Sequence, residues 1–227
     1  YITPFIFGVI PAILITLPIG SVYAFSLFSN DMMHILQCSF KEIQIAFSLS
    51  IFFLGMGAAF SGSLVEKNIR LSAILATFLF AIGLLLTSFG LNIKNIWFIY
   101  IGYGCLCGIA QGIGYLTPVK TLLMWFPKYK GLATAISIIS FGLGSGLCTF
   151  FHSLFFNNFG ILNIFSLLAG IYFCMMLIGG LLIKKPYKEH EISIIQNTFS
   201  YKTLFRDKFF ICAWLFMFLN ISAGLSL

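Results

Sequence analysis

Two tyrosines occupy matching places in this sequence. Gly20-Ser21-Val22-Tyr23 and Gly112-Ile113-Gly114-Tyr115 share the pattern G-x-x-Y, each inside a long apolar run. Polar side chains gather around both: Thr16, Ser21 and Ser26 near the first, Gln111, Thr117 and Thr121 near the second. A tyrosine hydroxyl can donate to an anion without the cost of burying a second charge. The ionisable groups within apolar runs are Lys120 and His152. A lysine at mid-bilayer costs about 2.5–3.5 kcal/mol. Lys120 lies shortly before Trp125, so it either snorkels to the interface or serves an aqueous cavity or inner gate. His152 reads as structural. Pro118 lacks the donor that would bond the carbonyl of Gly114, which predicts a kink in the helix just after Tyr115. No catalytic triad and no metal-ligand cluster is visible. Cys38, Cys105, Cys107, Cys148, Cys174 and Cys212 form no C-x-x-C pair and read as small apolar residues. The chemistry these residues support is non-covalent binding, with neither catalysis nor a cofactor.

The elements that carry them are membrane spans. The chain is 60% hydrophobic and 8% charged, with a mean hydropathy of +1.04. Soluble domains run near 25% charged, and a soluble core of this length could not hide so much apolar surface. A spanning helix needs about 20 apolar residues. Seven candidates follow, over about 5–28, 42–64, 71–91, 96–124, 131–156, 160–183 and 207–227. Polar breaks separate them, among them Asn30-Asp31, Lys41-Glu42, the stretch from Glu66 to Arg70, and Asn157-Asn158. The chain opens and closes inside apolar segments, which points to a piece of a longer protein.

Basic residues fall on one side. Lys67, Arg70, Lys128, Lys130, Lys184, Lys185, Lys188, Lys202, Arg206 and Lys208 lie in connections 2–3, 4–5 and 6–7. The other connections carry Lys41 and Lys94 alone. The positive-inside rule makes the first set cytosolic and puts the amino terminus inside. Charge placement explains the net +7 without nucleic acid. The expected plan is a bundle of six spans over 1–183, a cytosolic linker over 184–206 and the start of a seventh span over 207–227. Six plus six is a common transporter plan, in which spans 1 and 4 are equivalent members of inverted three-helix repeats. Glycines crowd spans 2, 4 and 5, where small residues let backbones approach.

The connection from Gly62 to Arg70, GSLVEKNIR, resembles the major facilitator superfamily loop signature G-x-L-x-D-R-x-G-R. Gly62, Leu64 and Arg70 match, Glu66 and Lys67 are conservative replacements, and Ile69 replaces a glycine. The resemblance implies a cytosolic latch: Gly62 allows close helix approach, and the acid pairs with basic residues or a helix N-terminus in one state only. The stretch from Tyr115 through Trp125-Phe126-Pro127 to Gly131-Leu132-Ala133, with Phe141-Gly142-Leu143-Gly144 after it, is similar to the oxalate:formate antiporter family of that superfamily, with monocarboxylate porters close behind. Gly20 to Asn30, Gln44 to Ser50 and Phe209 to Leu225 are similar to the same family. The resemblance implies the amino-terminal half of a twelve-helix transporter, with a small carboxylate held between the halves. By motif position Tyr23, Gln44 and Tyr115 line the site on this side. Phe141 stands where the bacterial oxalate transporter has a tyrosine, which removes a hydroxyl and counts against oxalate. Monocarboxylate porters use a lysine on helix 1, and none is present here.

The expected fold is therefore an all-α membrane protein, a major facilitator type six-helix bundle plus the start of helix 7. The expected function is secondary transport of a small organic anion such as oxalate, formate, lactate or pyruvate, proton-coupled or exchanged, by alternating access in a monomer. A neutral-solute carrier is the alternative within the class. A seven-helix receptor is the alternative outside it, and the charge bias, which starts the chain inside, opposes it. Plasma and organelle membranes are not distinguished by these features.

Overall fold

The computed structural model describes residues 2–186, 207–212, 215, 216 and 219, without the side chains of residues 2 and 156–159. Six helices are long and apolar enough to cross a membrane: α1 Phe5–Leu36, α2 Phe40–Phe60, α3 Ile69–Asn92, α4 Ile96–Trp125, α5 Lys130–Phe155 and α6 Gly160–Leu182. A short helix, Gly62–Lys67, joins α2 to α3. Residues 187–206, which hold most of the expected linker, lie outside the described residues, and so does 220–227 of the expected seventh span. Within 207–219, the Phe209 N–H donates to Asp207 Oδ1 at 3.0 Å, at the start of a helical stretch.

Local signals set the helix ends. Ser39 caps α2 in a reciprocal box: its Oγ accepts from the Glu42 N–H, and Glu42 Oε2 accepts from the Ser39 N–H at 2.7 Å. Asn68 Oδ1 accepts from the Leu71 N–H at α3, and Asn95 Oδ1 from the Trp97 N–H at α4. Between α5 and α6 Gly160 takes φ 66°, a conformation that a residue with a Cβ rarely adopts.

The expected break at Asn30-Asp31 is not one. No Gly or Pro interrupts this stretch, and α1 continues to Leu36 before Gln37 turns left-handed at φ 51°. Asn30 is exposed and Asp31 half-exposed, so their side chains need no loop to stay hydrated. At the other boundary of span 2, α2 ends at Phe60 rather than near 64, because the chain turns at Ser61 into the short helix.

α1 is not uniform. Residues Phe5–Val9 have π-type hydrogen bonding, and Gly20–Ala24 form a 3-10 turn. Pro18 precedes that turn and cannot donate to the carbonyl of Leu14. In α4, Tyr100–Cys107 are π-type, and the helix then continues through Pro118 to Trp125.

Packing follows the logic of lipid rather than water. α3 exposes Leu71, Leu75, Phe78, Ile82, Leu85 and Phe89 and buries Ser72, Ala73, Ala76, Thr77, Gly83 and Thr87. Lipid chains are as apolar as leucine, so association rests on close contact between small residues. The buried threonines cost little because Thr77 donates to Ala73 O and Thr87 to Gly83 O, both at 2.8 Å. Larger side chains, including Phe25, Phe80, Phe165 and Tyr172, fill the core elsewhere.

One end of the bundle gathers the basic connections. There the Trp125 Nε1–H at the end of α4 donates to Lys184 O at 2.9 Å, and the Lys184 N–H donates to Phe7 O at the start of α1. At the opposite end Tyr100 Oη donates to Glu42 O, tying the starts of α4 and α2.

Candidate functional site

Two helix crossings place the tyrosines, and they share one pattern. Where α1 crosses α5, a Cβ on Gly20 would run into the Phe141 carbonyl, and a Cβ on Gly144 into the Leu17 carbonyl. Where α4 crosses α2, a Cβ on Gly112 would run into the Leu54 carbonyl, and one on Gly57 would stand 2.7 Å from the Ile109 carbonyl. In each crossing, the first glycine meets a residue that lies three before the second glycine. The second glycine meets a residue that lies three before the first. Gly20 thus corresponds to Gly112, Gly144 to Gly57, and Phe141 to Leu54. Tyr23 and Tyr115 correspond as well, each one turn beyond its crossing glycine. The shared G-x-x-Y pattern is therefore a structural repeat.

Because Gly20 lets the backbone of α5 touch α1, the ring of Phe141 reaches both tyrosines. Tyr23 and Phe141 meet edge to face with centroids 5.6 Å apart, and Tyr115 and Phe141 do so at 5.4 Å. Such pairs contribute about 0.5–1.5 kcal/mol beyond burial. Tyr23 is 49% exposed, and Tyr115 and Phe141 are half-buried. The result is an aromatic, uncharged wall, exposed at Tyr23, that carries two phenol hydroxyls.

A second cluster lies at the basic end. The Lys120 ammonium donates to Glu66 Oε1 at 2.7 Å and to Gly62 O at 3.4 Å. Lys185 Nζ donates to Glu66 O at 2.7 Å, and Arg70 Nη2 to Leu181 O at 2.6 Å. These bonds tie α4, the 2–3 connection and the end of α6 together. Glu66 is 69% exposed and Lys120 25%, so the ion pair itself is worth no more than about 1 kcal/mol.

The sequence profile of the Major Facilitator Superfamily matches residues 9–227. The chain belongs to the Major Facilitator Superfamily. Over 172 residues it is 29% identical to an uncharacterized MFS-type transporter, YhjX, of Escherichia coli, a match covering 75% of this chain and 42% of that protein. It is also 37% identical over 75 residues to monocarboxylate transporter 9 of Gallus gallus, covering 33% of this chain and 14% of the relative. A third match, 26% over 132 residues, is to monocarboxylate transporter 12-B of Danio rerio, covering 57% and 27%. The matched part spans less than half the length of each relative. This superfamily member is thus a multi-pass membrane protein whose six-helix bundle is a major facilitator half.

Among the residues singled out in this superfamily member, the structure joins Tyr23, Tyr115 and Phe141. Gln44 lies apart, half-buried in the second turn of α2 near the opposite end. No hydrogen bond or ring contact links it to the aromatic wall among the described residues. Lys120 extends to the 2–3 connection, where Glu66 holds its ammonium. Arg70 bonds a carbonyl, with no acid partner among the described residues, and Lys67 is exposed. One expectation fails on its physical ground. A Cβ on Gly62 would meet nothing within 4 Å, so close helix approach does not require glycine there. Its carbonyl, which accepts from Lys120, is what the cluster uses. Pro118 is buried inside α4.

Sequence reasoning missed three features: the roles of Arg70 and Lys185 on backbone carbonyls, and the 3-10 turn under Tyr23. The first two join residues more than a hundred positions apart and leave no local pattern. The turn had a signal in Pro18, two residues before Gly20.

Proposed function

We propose that this chain is the amino-terminal half of a secondary transporter that moves a small organic anion by alternating access. The observation that carries the reading is the pair of tyrosines on equivalent helices, α1 and α4, both against Phe141 on an exposed face. In major facilitator halves, substrate lies near the midplane at the repeat interface. Phenol hydroxyls donate to a carboxylate, and the ring between them holds both at one depth. The names of two relatives, which specify monocarboxylates, support the same substrate class. Lactate or pyruvate fits an uncharged wall with two donors, and the cation that balances the anion is assigned to the carboxyl half of the full protein. The site performs binding and release, with no bond made or broken. Gln44 is assigned to the outer approach. The basic end faces the cytosol, so the amino terminus is inside, and the Glu66 cluster serves as the inner latch together with Lys67 and Arg70. Pro118 lets the last turns of α4 swing. The segment 184–206 links the two halves, and 207–227 begins helix 7.

A second reading has one observation in its favour. No cation touches the aromatic wall among the described residues, since Lys120 is held by Glu66, and a neutral solute would suit such a wall. Labelled counterflow decides between them. Full-length protein in proteoliposomes is preloaded with formate, oxalate, lactate, pyruvate, a sugar or an amino acid. Exchange confined to carboxylates supports the proposal. Exchange of a neutral solute alone replaces the anion with the second reading.

A further inference from the structure

Between the start of α3 and the end of α6, at the basic end, lies an open depression of about 450 Å³. Four of its lining residues are cations: Lys67, Arg70, Lys184 and Lys185. Among the described residues no acid pairs with any of the four. Arg70 spends one N–H on Leu181 O, Lys185 bonds Glu66 O, and Lys184 sits over the Phe7 ring at 4.3 Å. No hydrogen bond or ion pair holds Lys67 among the described residues. The neighbouring acid, Glu66, has its carboxylate on Lys120. The cap of α3 is already satisfied by Asn68, so the positive character rests on the side chains. They are spread over two chain segments far apart in sequence, and the fold brings them to one mouth.

The surface beside this mouth is apolar. Leu71, Leu75 and Phe78 of α3 and Ile178 and Leu181 of α6 are exposed, and Phe78 packs edge-on against Phe173 of α6 at 5.3 Å. The two helices thus present exposed apolar side chains along the membrane, and the four cations gather at one end of them, Arg70 in the first turn of α3 and Lys67, Lys184 and Lys185 in the segments that flank α3 and α6. The depth is also fixed. Trp125, whose indole N–H bonds the carbonyl of Lys184, is an aromatic of the kind that marks the headgroup layer.

We propose that this depression binds the phosphate of an anionic phospholipid headgroup, with the acyl chains along α3 and α6. Basic pockets between spanning helices take anionic headgroups through charge and phosphate geometry. The ligand is an amphiphile rather than a free phosphate ion because the cationic mouth adjoins the exposed apolar side chains at the start of α3 and the end of α6. This site is separate from the aromatic wall and does not depend on what the protein transports.

The test is lipid retention by the full-length protein, purified from detergent after exchange into defined mixtures of phosphatidylglycerol and phosphatidylcholine and read by native mass spectrometry. The wild type keeps phosphatidylglycerol in preference to phosphatidylcholine. The K184Q/K185Q variant loses about thirtyfold of that preference, at about fivefold per charge removed. K184R/K185R retains it, and so does K128Q/K130Q, which removes two cations of another connection. Melting curves of each variant separate lost binding from lost folding. Three results overturn the proposal: no preference in the wild type, an equal loss in K128Q/K130Q, or displacement of the lipid by millimolar inorganic phosphate, which would make the ligand a soluble anion.

Discussion

The α1–α5 crossing and the α4–α2 crossing have the same backbone plan and different furnishing. Each is closed by two glycines in reciprocal contact with carbonyls of the other helix. At the first, Phe141 stands between the tyrosines. At the second the corresponding residue is Leu54. Ser50 of α2 donates to Gln111 of α4 at 3.4 Å, both buried. The corresponding positions at the first crossing are Ser137 and Ile19, and the buried Ser137 hydroxyl has no hydrogen-bond partner among the described residues. The proline comes before the crossing glycine in α1, as Pro18, and after it in α4, as Pro118. A symmetric scaffold thus supplies close packing, and one of the side chains that break the symmetry, Phe141, is the one that touches both tyrosines.

The largest effects come from breaking what the crossings share. Gly20→Ala and Gly112→Ala each put a methyl group onto a backbone carbonyl, which neither helix can yield by rotating a side chain. Each is expected to cost about 3 kcal/mol through overpacking, seen as loss of folded protein in size-exclusion profiles and melting curves. Gly142→Ala, where a Cβ would meet nothing within 4 Å, is the control. It should be neutral or stabilising by up to about 1 kcal/mol, from helix propensity.

Phe141→Leu makes the two crossings alike. The edge contacts with Tyr23 and Tyr115 are lost, at about 1 kcal/mol each, and the hydroxyls lose their common support. The KM for the carboxylate should rise about fivefold with the folded yield unchanged. An unchanged KM would mean that the ring plays no part in positioning.

A subtler pair separates the polar inventories. Ser50→Ala removes a buried donor to Gln111 and should destabilise by about 1–2 kcal/mol, whereas Ser137→Ala deletes an unsatisfied hydroxyl and should be neutral or slightly stabilising. Thermal melts of both variants check this, and equal losses would contradict the correspondence. The smallest of the expected losses is that of Glu66→Gln at the basic end, where the exposure of the carboxylate limits it to about 1 kcal/mol or less, measured as a shift in melting temperature that shrinks in high salt.

The fold was legible because lipid imposes a coarse code. Runs of about 20 apolar residues broken by charge placed six helices, whose starts the structure sets at the caps Ser39, Asn68 and Asn95. The error over Asn30 and Asp31 came from treating polar residues as a break where a helix end near water accommodates them. The partnership of Tyr23 and Tyr115 was visible as a four-residue repeat. Their shared contact with Phe141 was not, because it depends on how closely α5 approaches Gly20, a distance no local pattern encodes. Gly62 shows the converse. Its type suggested close packing, and its surroundings in this bundle are open.

The central claim is that the two hydroxyls on equivalent helices bind one carboxylate. Counterflow of labelled lactate or pyruvate through the full-length protein, compared among wild type, Tyr23→Phe, Tyr115→Phe and the double variant, tests it most directly. A hydrogen bond to a charged group is worth about 1.5–3 kcal/mol, so each single variant should weaken carboxylate binding about ten- to a hundredfold. The double variant should fall short of the sum, because the two donors share one ligand. Exchange at wild-type affinity in the double variant would contradict the account.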